Sequence, residues 1–213
     1  RNDEGQLGDR ALGPSRNAPV RAPGLPAIEQ IAGGDDHACA RTSDGAVHCW
    51  GKNDLGQLGD STTEVRDGPV PVALESNDAR SIASASSFTC AIRSTRFVQC
   101  WGGAPVGDGT MSSTSTPVSV GLASVERLVA DTGLSCGVSA GQPRCWGVAP
   151  SLLGADSMDP FVYSPIPIAT LDLAPEDDFA ASAFYSRFGE IQVGAHACVA
   201  RSSGELQCWG SNW

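Results

Sequence analysis

Eight cysteines are the residues of this 213-residue chain with the clearest capacity for chemistry, since thiols bind metals, act as nucleophiles or pair as disulfides. They form four pairs, and in each pair the second cysteine opens a Cys-Trp-Gly triplet nine or ten positions after the first. The pairs are Cys39 with Cys49, Cys90 with Cys100, Cys136 with Cys145, and Cys198 with Cys208. Structural zinc sites usually hold paired cysteines about two to four residues apart, a spacing that this sequence lacks. The pattern favours disulfides and predicts neither a metal site nor a cofactor.

Turn signals inside these segments place the cysteines of a pair opposite each other. Ser43-Asp44-Gly45 and Ser202-Ser203-Gly204 suit three-residue hairpin loops with the glycine in the left-handed region. The third segment is one residue shorter, and a two-residue loop at Ala140-Gly141 again brings its cysteines together. The second segment has Ser94-Thr95-Arg96 without a glycine, so its turn type stays open.

Directly opposed residues of antiparallel strands have Cα atoms about 4.5–5.5 Å apart, a distance that a disulfide can bridge. We therefore predict that each pair staples one β-hairpin. Disulfides persist in oxidising surroundings, so the sequence predicts an extracellular, cell-surface or periplasmic location.

Other residues with catalytic potential fit a structural role better. Gly133-Leu-Ser-Cys-Gly137 matches the form of a hydrolase nucleophile elbow, but it lies between predicted strands and contains a paired cysteine. His37 and His196 share one repeat position, which Phe88 and Leu134 occupy in the other two repeats. A position that accepts histidine, phenylalanine or leucine serves packing. We expect no catalytic site and no enzyme.

Composition narrows the partners. The formal net charge of −10 argues against nucleic acid, which binds basic surfaces. No apolar run is long enough to cross a bilayer, so we expect no membrane insertion. The acidic pairs Asp35-Asp36 and Asp177-Asp178 are interpreted as solvated turns. The chain opens on Arg1 without a segment like a signal peptide, which predicts a mature form, a fragment or a chain lacking its ends.

The cysteine segments belong to a longer repeat. Lys52-Asn-Asp-Leu-Gly-Gln-Leu-Gly-Asp60 follows the first triplet, and the chain itself opens on Arg1-Asn-Asp-Glu-Gly-Gln-Leu-Gly-Asp9. Extended runs rich in proline and β-branched residues lie between the cysteine segments, at 69–74, 116–120 and 164–169. Approximate repeats cover 1–50, 51–101, 102–146 and 147–209, and 210–213 begins the next one. End-to-end repetition predicts a single array across 1–213.

This pattern resembles the regulator of chromosome condensation repeat, in particular the disulfide-bearing type found in secreted bacterial proteins. The resemblance is closest in the first repeat, good in the fourth, and weaker in the second and third, where 103–108 and 148–154 replace the Gly-Gln-Leu-Gly segment. It implies an all-β fold of β-propeller blades, typically seven blades of four strands. The tryptophan of each triplet is interpreted as a packing residue. Four repeats can be part of a longer protein, a four-bladed ring, or an array completed by further blades of the same or another chain; we favour the first.

The fourth repeat carries the best candidate for function. Its segment 175–189 has no evident counterpart in the other repeats and is rich in aromatic residues, and loops on rigid scaffolds commonly carry function. Aromatic residues and arginine anchor protein interfaces. The partner-binding candidates are Asp178, Phe179, Phe184, Tyr185, Arg187 and Phe188. The alternative is that the phenylalanines only pack this segment on its own blade.

These observations predict a non-catalytic module that binds another protein, through a propeller face or through 175–189. Two alternatives stay open: a rigid structural segment of a larger extracellular assembly or adhesin, and an inhibitor of an extracellular enzyme such as a β-lactamase. Guanine-nucleotide exchange, implied by the nuclear member of the family, fits poorly with disulfides and an acidic surface.

Thiol labelling tests the disulfide assignment. Under denaturing conditions without reductant, an alkylating reagent should leave the intact mass unchanged. After reduction it should label all eight cysteines. Labelling without reductant would contradict the predicted pairing and remove the argument for an oxidising compartment.

Overall fold

The chain folds entirely into antiparallel β-sheets over the part that the structure describes. That structure is a computed structural model, and it describes residues 2–131, 133–148, 161–168, 173–174, 177–185 and 193–210. Strands follow one another along the chain as neighbours in each sheet, so every sheet is an up-and-down meander. This confirms the predicted all-β class and the division into propeller blades.

Among the described residues, three sheets contain four strands and the fourth contains three. The first sheet consists of β1 (Ile28–Gly33), β2 (His37–Thr42), β3 (Val47–Gly51) and β4 (Arg66–Pro71). The second consists of β5 (Ala79–Ser84), β6 (Phe88–Arg93), β7 (Val98–Gly102) and β8 (Thr114–Ser119). The third consists of β9 (Val125–Asp131), β10 (Leu134–Ser139), β11 (Gln142–Val148) and β12 (Phe161–Pro167). The last consists of β13 (Asp178–Tyr185), β14 (Val193–Ala200) and β15 (Leu206–Gly210).

The hairpin between the second and third strands of each sheet has the predicted register. In the first sheet Cys39 lies opposite Cys49, and the amide of Thr42 donates to the carbonyl of Ala46 over 2.9 Å. Gly45 has φ of 83°, the left-handed conformation that this loop requires. The last hairpin repeats the arrangement, with Gly204 at φ of 88°.

The two atypical hairpins keep the same register by different means. Ala140 and Gly141 both have positive φ, at 50° and 77°, as a two-residue loop of this kind demands. In the second sheet Arg96 takes the left-handed conformation at φ of 63°, in the place of the missing glycine. Cys90 therefore still lies opposite Cys100.

All eight cysteines form the four predicted disulfides, with Cα–Cα distances of 4.0–4.1 Å. No free cysteine occurs in the described chain, so no thiolate is left there to bind a metal. The disulfides of the first three sheets are fully buried. Each one ties the middle of its sheet at the point where neighbouring sheets pack.

The sequence repeat and the sheet are out of phase. The repeat 51–101 supplies the last strand of the first sheet, β4, and then the first three strands of the second, β5 to β7. Each repeat therefore spans two sheets and links them covalently. First strands of successive sheets contact each other in the order β1, β5, β9, β13, and no contact of comparable extent joins β13 back to β1 among the described strands. The sheets form an arc.

The repeated tryptophan packs against a glycine of the loop that comes before its own sheet. A Cβ atom on Gly8, Gly59 or Gly107 would lie 2.7 Å from the ring of Trp50, Trp101 or Trp146, respectively. Trp101 and Trp146 are fully buried and Trp50 is 8% exposed. The packing role predicted for tryptophan is thus confirmed in three repeats, and glycine is required because a side chain would overlap the ring.

The glycine of the triplet is required for a different reason. Gly51, Gly102 and Gly147 have φ of 104°, 112° and 119°, and each sits at a register shift between the third and fourth strands. A Cβ on Gly51 would also lie 2.5 Å from the carbonyl oxygen of Asp36. The bulge turns the chain out of the sheet and into the loop that reaches the next tryptophan.

Substituting Gly59 with alanine tests the contact between loop and tryptophan. The new methyl group would overlap the ring of Trp101, and φ of 66° is unfavourable for alanine, so Gly59→Ala should lower the free energy of unfolding by about 2–4 kcal/mol. Gly33→Ala is the matched control, because a Cβ there has no neighbour within 4 Å. Equal losses in urea unfolding would contradict the assigned contact.

Candidate protein-binding surface

The interior between sheets holds a polar cluster around His37. Its Nε2 lies 2.8 Å from Oγ1 of Thr89 in the next sheet, and Oγ1 of Thr89 also lies 3.2 Å from Oγ of Ser84. His37 is 2% exposed. Burial lowers the pKa of His37 from 6.5 to about 4, against the opposing attraction of the Asp36 carboxylate. His37 is therefore a neutral hydrogen-bonding residue in the core.

The predicted equivalence of His37 with Phe88 and Leu134 is confirmed by register, since each lies opposite the glycine of its triplet. Phe88 and Leu134 are also buried. His196 takes the same register position opposite Gly210. The position serves packing between sheets.

The Gly133–Gly137 motif is structural as well. Ser135 and Cys136 lie within strand β10, Ser135 is 1% exposed, and Cys136 is bonded to Cys145. A nucleophile elbow exposes its serine at a turn between a strand and a helix. This serine faces the interior of the sheet stack.

Asp177 corrects one prediction. The acidic pair predicts a solvated turn, yet Asp177 is 2% exposed and accepts three hydrogen bonds. The donors are the backbone amides of Ser202 and Ala174, each at 3.0 Å, and the Arg201 guanidinium at 2.7 Å. Together, led by the Ser202 amide, they lower the pKa of Asp177 to about 2. The carboxylate fixes the start of β13 against the base of the last hairpin. The other acidic pair, 35–36, does lie in a turn.

The same arrangement occurs in the second sheet, where Asp78 precedes β5 and binds Arg93. Arg93 also donates to Gln99, as Arg201 does to Gln207. Arginine three residues after the first cysteine, with glutamine just before the second, is the sequence signal for this cluster. Comparing those two repeats position by position could have identified Asp177 as an ion-pair residue.

The segment 175–189 is only partly an insertion. Residues 178–185 form β13, which pairs with β14 as β1 pairs with β2, so the prediction of a stretch without a counterpart is wrong for these residues. Phe179 lies opposite Val199, one position after the cysteine, which is the register position of Ile82 in the second sheet. Ile82 is 2% exposed and packs against the first sheet. The backbone therefore gives Phe179 the same register position as Ile82.

Three of the other partner-binding candidates lie on a strand, and two lie outside the described residues. Asp178, Phe184 and Tyr185 lie on β13, with Tyr185 at its end opposite Val193. Arg187 and Phe188 lie outside the described residues. The backbone thus places Tyr185 directly before the remaining part of the segment, at the end of the sheet opposite the hairpin loop.

The hairpin end of the array is the end at which the loops between the second and third strands of each sheet lie, and it exposes charged residues. Each of the first three sheets has a register shift at the start of its first strand, and the extra residues are Glu29, Arg80 and Glu126. All three are exposed. Such bulges redirect side chains out of the sheet. A cleft between the second and third sheets is lined by Arg80, Arg96 and Glu126, among others, with Arg96 and Glu126 3.7 Å apart.

Comparison with known proteins agrees with this architecture. Residues 1–41 and 44–92 match the Regulator of chromosome condensation (RCC1) repeat, and residues 28–57 match a second model of the same repeat. HERC3 of Homo sapiens is 41% identical over 76 residues, and the Ultraviolet-B receptor UVR8 of Arabidopsis thaliana is 36% identical over 78. These segments cover 35% of this chain and 7% and 17% of the two relatives.

Solved propellers show the fold over nearly the whole chain. Human WBSCR16 superposes with a TM-score of 0.76 at 18% identity, covering 100% of this chain and 56% of its own. Yeast RCC1 (Prp20), solved bound to Kap60, gives a TM-score of 0.70 at 17% identity, covering 92% of this chain and 46% of its own. The chain therefore has the fold of β-propeller blades, and its residues 1–92 contain the matches to the RCC1 repeat. It spans about half the length of these structures.

Replacing His37 by phenylalanine, the residue of the second repeat, should reduce sensitivity to acid. Between pH 6.5 and about 4 the unfolded chain binds a proton at His37 that the folded chain excludes, so stability falls as pH falls through this window. The loss from this group is about 3 kcal/mol by linkage. His37→Phe should therefore lose less stability than the parent between neutral pH and pH near 4. An unchanged pH profile for His37→Phe would contradict the buried neutral histidine.

Proposed function

We propose that this chain is a secreted or surface-exposed module that binds another protein through one end of its propeller blades and performs no catalysis. One observation carries the proposal: the residues that the repeats share are interior, whereas the hairpin end exposes charged bulge residues, glutamate in the first and third sheets and arginine in the second. Trp101, Cys100 and Gly102 are buried, while the bulge residues are Glu29, Arg80 and Glu126. A shared interior scaffold that leaves charged residues exposed at one end is typical of binding modules.

The disulfides support the oxidising location. Buried, hairpin-stapling disulfides such as Cys90–Cys100 add stability where the surroundings keep them oxidised. A reducing cytosol would leave pairs of thiols in the core. The buried disulfides therefore favour secretion or surface exposure.

Charge at the hairpin end suggests the chemistry of the partner. Arg80, Arg96 and Glu126 line one cleft in a chain whose formal net charge is −10, and since Glu126 pairs with Arg96, Arg80 supplies the cleft's excess positive charge. Arginine binds carboxylates through parallel hydrogen bonds. The cleft fits an acidic loop of a protein. The second candidate is Tyr185, which ends β13 at the opposite end of the last sheet, together with Arg187, which lies outside the described residues.

Two solved neighbours have printed protein partners. Yeast RCC1 was solved with Kap60, and the description of the Prp20p structure of Saccharomyces cerevisiae refers to its binding to Gsp1p and histones. Those partners belong to those proteins. They support the proposal that a propeller of this type serves as a protein-binding scaffold.

Charge reversal separates the two candidate surfaces. Immobilised chain would be used to capture proteins from the extracellular fraction of its source, with the captured partner identified by mass spectrometry and its affinity then measured. Arg80→Glu with Arg96→Glu should weaken binding about tenfold or more if the hairpin end binds an acidic loop. Tyr185→Ala with Arg187→Ala should do so if 175–189 binds.

The control is Arg16→Glu with Lys52→Glu, which makes the same change in net charge away from the hairpin end of the sheets. It should leave affinity unchanged. Equal weakening by the control and by Arg80→Glu with Arg96→Glu would show a general charge effect and contradict a local site. Unchanged affinity in all variants would contradict both surfaces.

A further inference from the structure

The fourth strands of the sheets differ in what their outer edges offer to a further strand. Each of β4, β8 and β12 pairs with the third strand of its sheet on one side and with no strand on the other side in the described part of the chain. Backbone N–H and C=O groups that point outward from such an edge can bind an extended peptide unless they are blocked.

Register shows which groups of β8 point outward. The amide of Val120 donates to the carbonyl of Val98 in β7 over 3.2 Å. Ser119 lies opposite Gln99 in unbroken register. Residues of an antiparallel strand alternate between bonding toward the partner strand and bonding away from it. The N–H and C=O of Ser119 therefore point away from β7, out of the edge of the sheet.

The corresponding residues of β4 and β12 are prolines. Pro71 and Pro167 directly precede Val72 and Ile168, whose amides donate to β3 and β11 over 2.9 and 3.1 Å. A proline in this outward position has no N–H, and edge strands are commonly closed to further pairing in this way. Among the described fourth strands, β8 is therefore the one that can both donate and accept a hydrogen bond at this position.

The free part of the β8 edge is short. The loop before the second sheet covers its beginning, since the amide of Ser61 donates to the carbonyl of Ser115 over 2.9 Å. Pro117 has no N–H, but its carbonyl points outward because the amide of the next residue points inward. A peptide beside β8 can therefore make two hydrogen bonds with Ser119 and a third with the carbonyl of Pro117.

This edge lies beside a cleft between the second and third sheets. The cleft has a volume of about 400 Å³, and its lining includes Ser119, Val120, Leu122, Asp108 and Arg144. Val120 and Leu122 belong to the core cluster that joins the two sheets. Because side chains alternate along a strand, a peptide residue next to the one paired with Ser119 has its side chain on the face of Val120. That side chain therefore faces the cleft.

Arg144 supplies a charge for this side chain to match. It is exposed, and it has no hydrogen bond or ion pair within the described part of the chain. Asp108, the other charged residue of the lining, accepts hydrogen bonds from the amide and the hydroxyl of Thr110, both over 2.9 Å. The residues equivalent to Arg144 in the second and last sheets, Gln99 and Gln207, are bonded to neighbouring arginines. A free guanidinium binds a carboxylate through parallel hydrogen bonds.

We propose that β8 and this cleft bind an extended acidic segment of a partner protein, which pairs with the backbone of Ser119 and places a carboxylate on Arg144. This inference rests on the protein-binding function proposed above. It assigns the contact to the outer edge of the second sheet, a different place from the cleft lined by Arg80.

Peptide selection tests the site. Random peptides displayed on phage would be selected on the parent chain and counter-selected on Ser119→Pro, which introduces the residue that β4 and β12 have there. Selected peptides should contain aspartate or glutamate, and they should bind Ser119→Pro about tenfold or more weakly than the parent, because the hydrogen bonds to residue 119 are lost. Failure to enrich peptides that prefer the parent over Ser119→Pro would overturn the proposal.

Thermal unfolding separates loss of the edge from loss of the fold. Ser119→Pro should keep the melting temperature of the parent, because no hydrogen bond inside the sheet is removed. Val120→Pro removes the bond to Val98 and should be clearly less stable. Equal losses in the two variants would show that the Ser119 amide bonds within the sheet and would overturn the proposal.

Arg144→Gln tests the charge contact, and it introduces the residue found in two other sheets. It should weaken binding of a selected peptide about tenfold, as should replacing the acidic residue of the peptide by its amide, and the two changes together should cost no more than either alone. Arg80→Glu with Arg96→Glu should leave the affinity for this peptide unchanged. Parental affinity in Arg144→Gln, with weakening by Arg80→Glu and Arg96→Glu, would overturn the outer-edge site and support the cleft at the hairpin end.

Discussion

The contact between the tryptophan of each of the first three Cys-Trp-Gly triplets and a glycine of the preceding loop is the interaction on which the array depends. A single four-stranded meander cannot bury both of its faces, so each sheet needs its neighbours. The indole ring fills the junction, and the loop reaches it only because the triplet glycine turns the chain out of the sheet at positive φ. A Cβ atom on Gly59 would lie within 2.7 Å of the Trp101 ring. Ring, loop and bulge therefore constrain one another.

Polar groups inside the array also join neighbouring elements of the fold. His37 bridges two sheets through Thr89, and Asp177 holds the last hairpin to the start of β13 through Arg201 and two backbone amides. Both side chains are nearly inaccessible to solvent, and their pKa values are lowered for opposite reasons: burial disfavours the imidazolium, and hydrogen bonds favour the carboxylate. Both side chains therefore hold elements of the fold together.

Much of the candidate site could be predicted from residue types and spacing. The features that could not be predicted have a common cause. The left-handed glycines and cysteine spacing fixed the hairpin register, since a turn only a few residues long leaves few alternatives. Arg96 shows that the same register survives without glycine. The local sequence does not predict the burial of Asp177, because its partners Arg201 and Ser202 lie more than twenty residues away along the chain. The sequence also fails to predict that 178–185 form a strand equivalent to β1, because the aromatic composition of this segment differs from that of the other first strands.

The sequence by itself determined the hairpins, the pairing of the cysteines and the repeated position of tryptophan, because these depend on contacts within about ten residues along the chain. Only the tertiary structure decided which positions became interior. Ile31 and Ile82 occupy the same register position, yet one is 77% exposed and the other 2%, because in the described chain only Ile82 has a neighbouring sheet before it. Burial in a repeat array depends on the neighbour as well as on the residue, and the neighbour is set by how successive sheets stack.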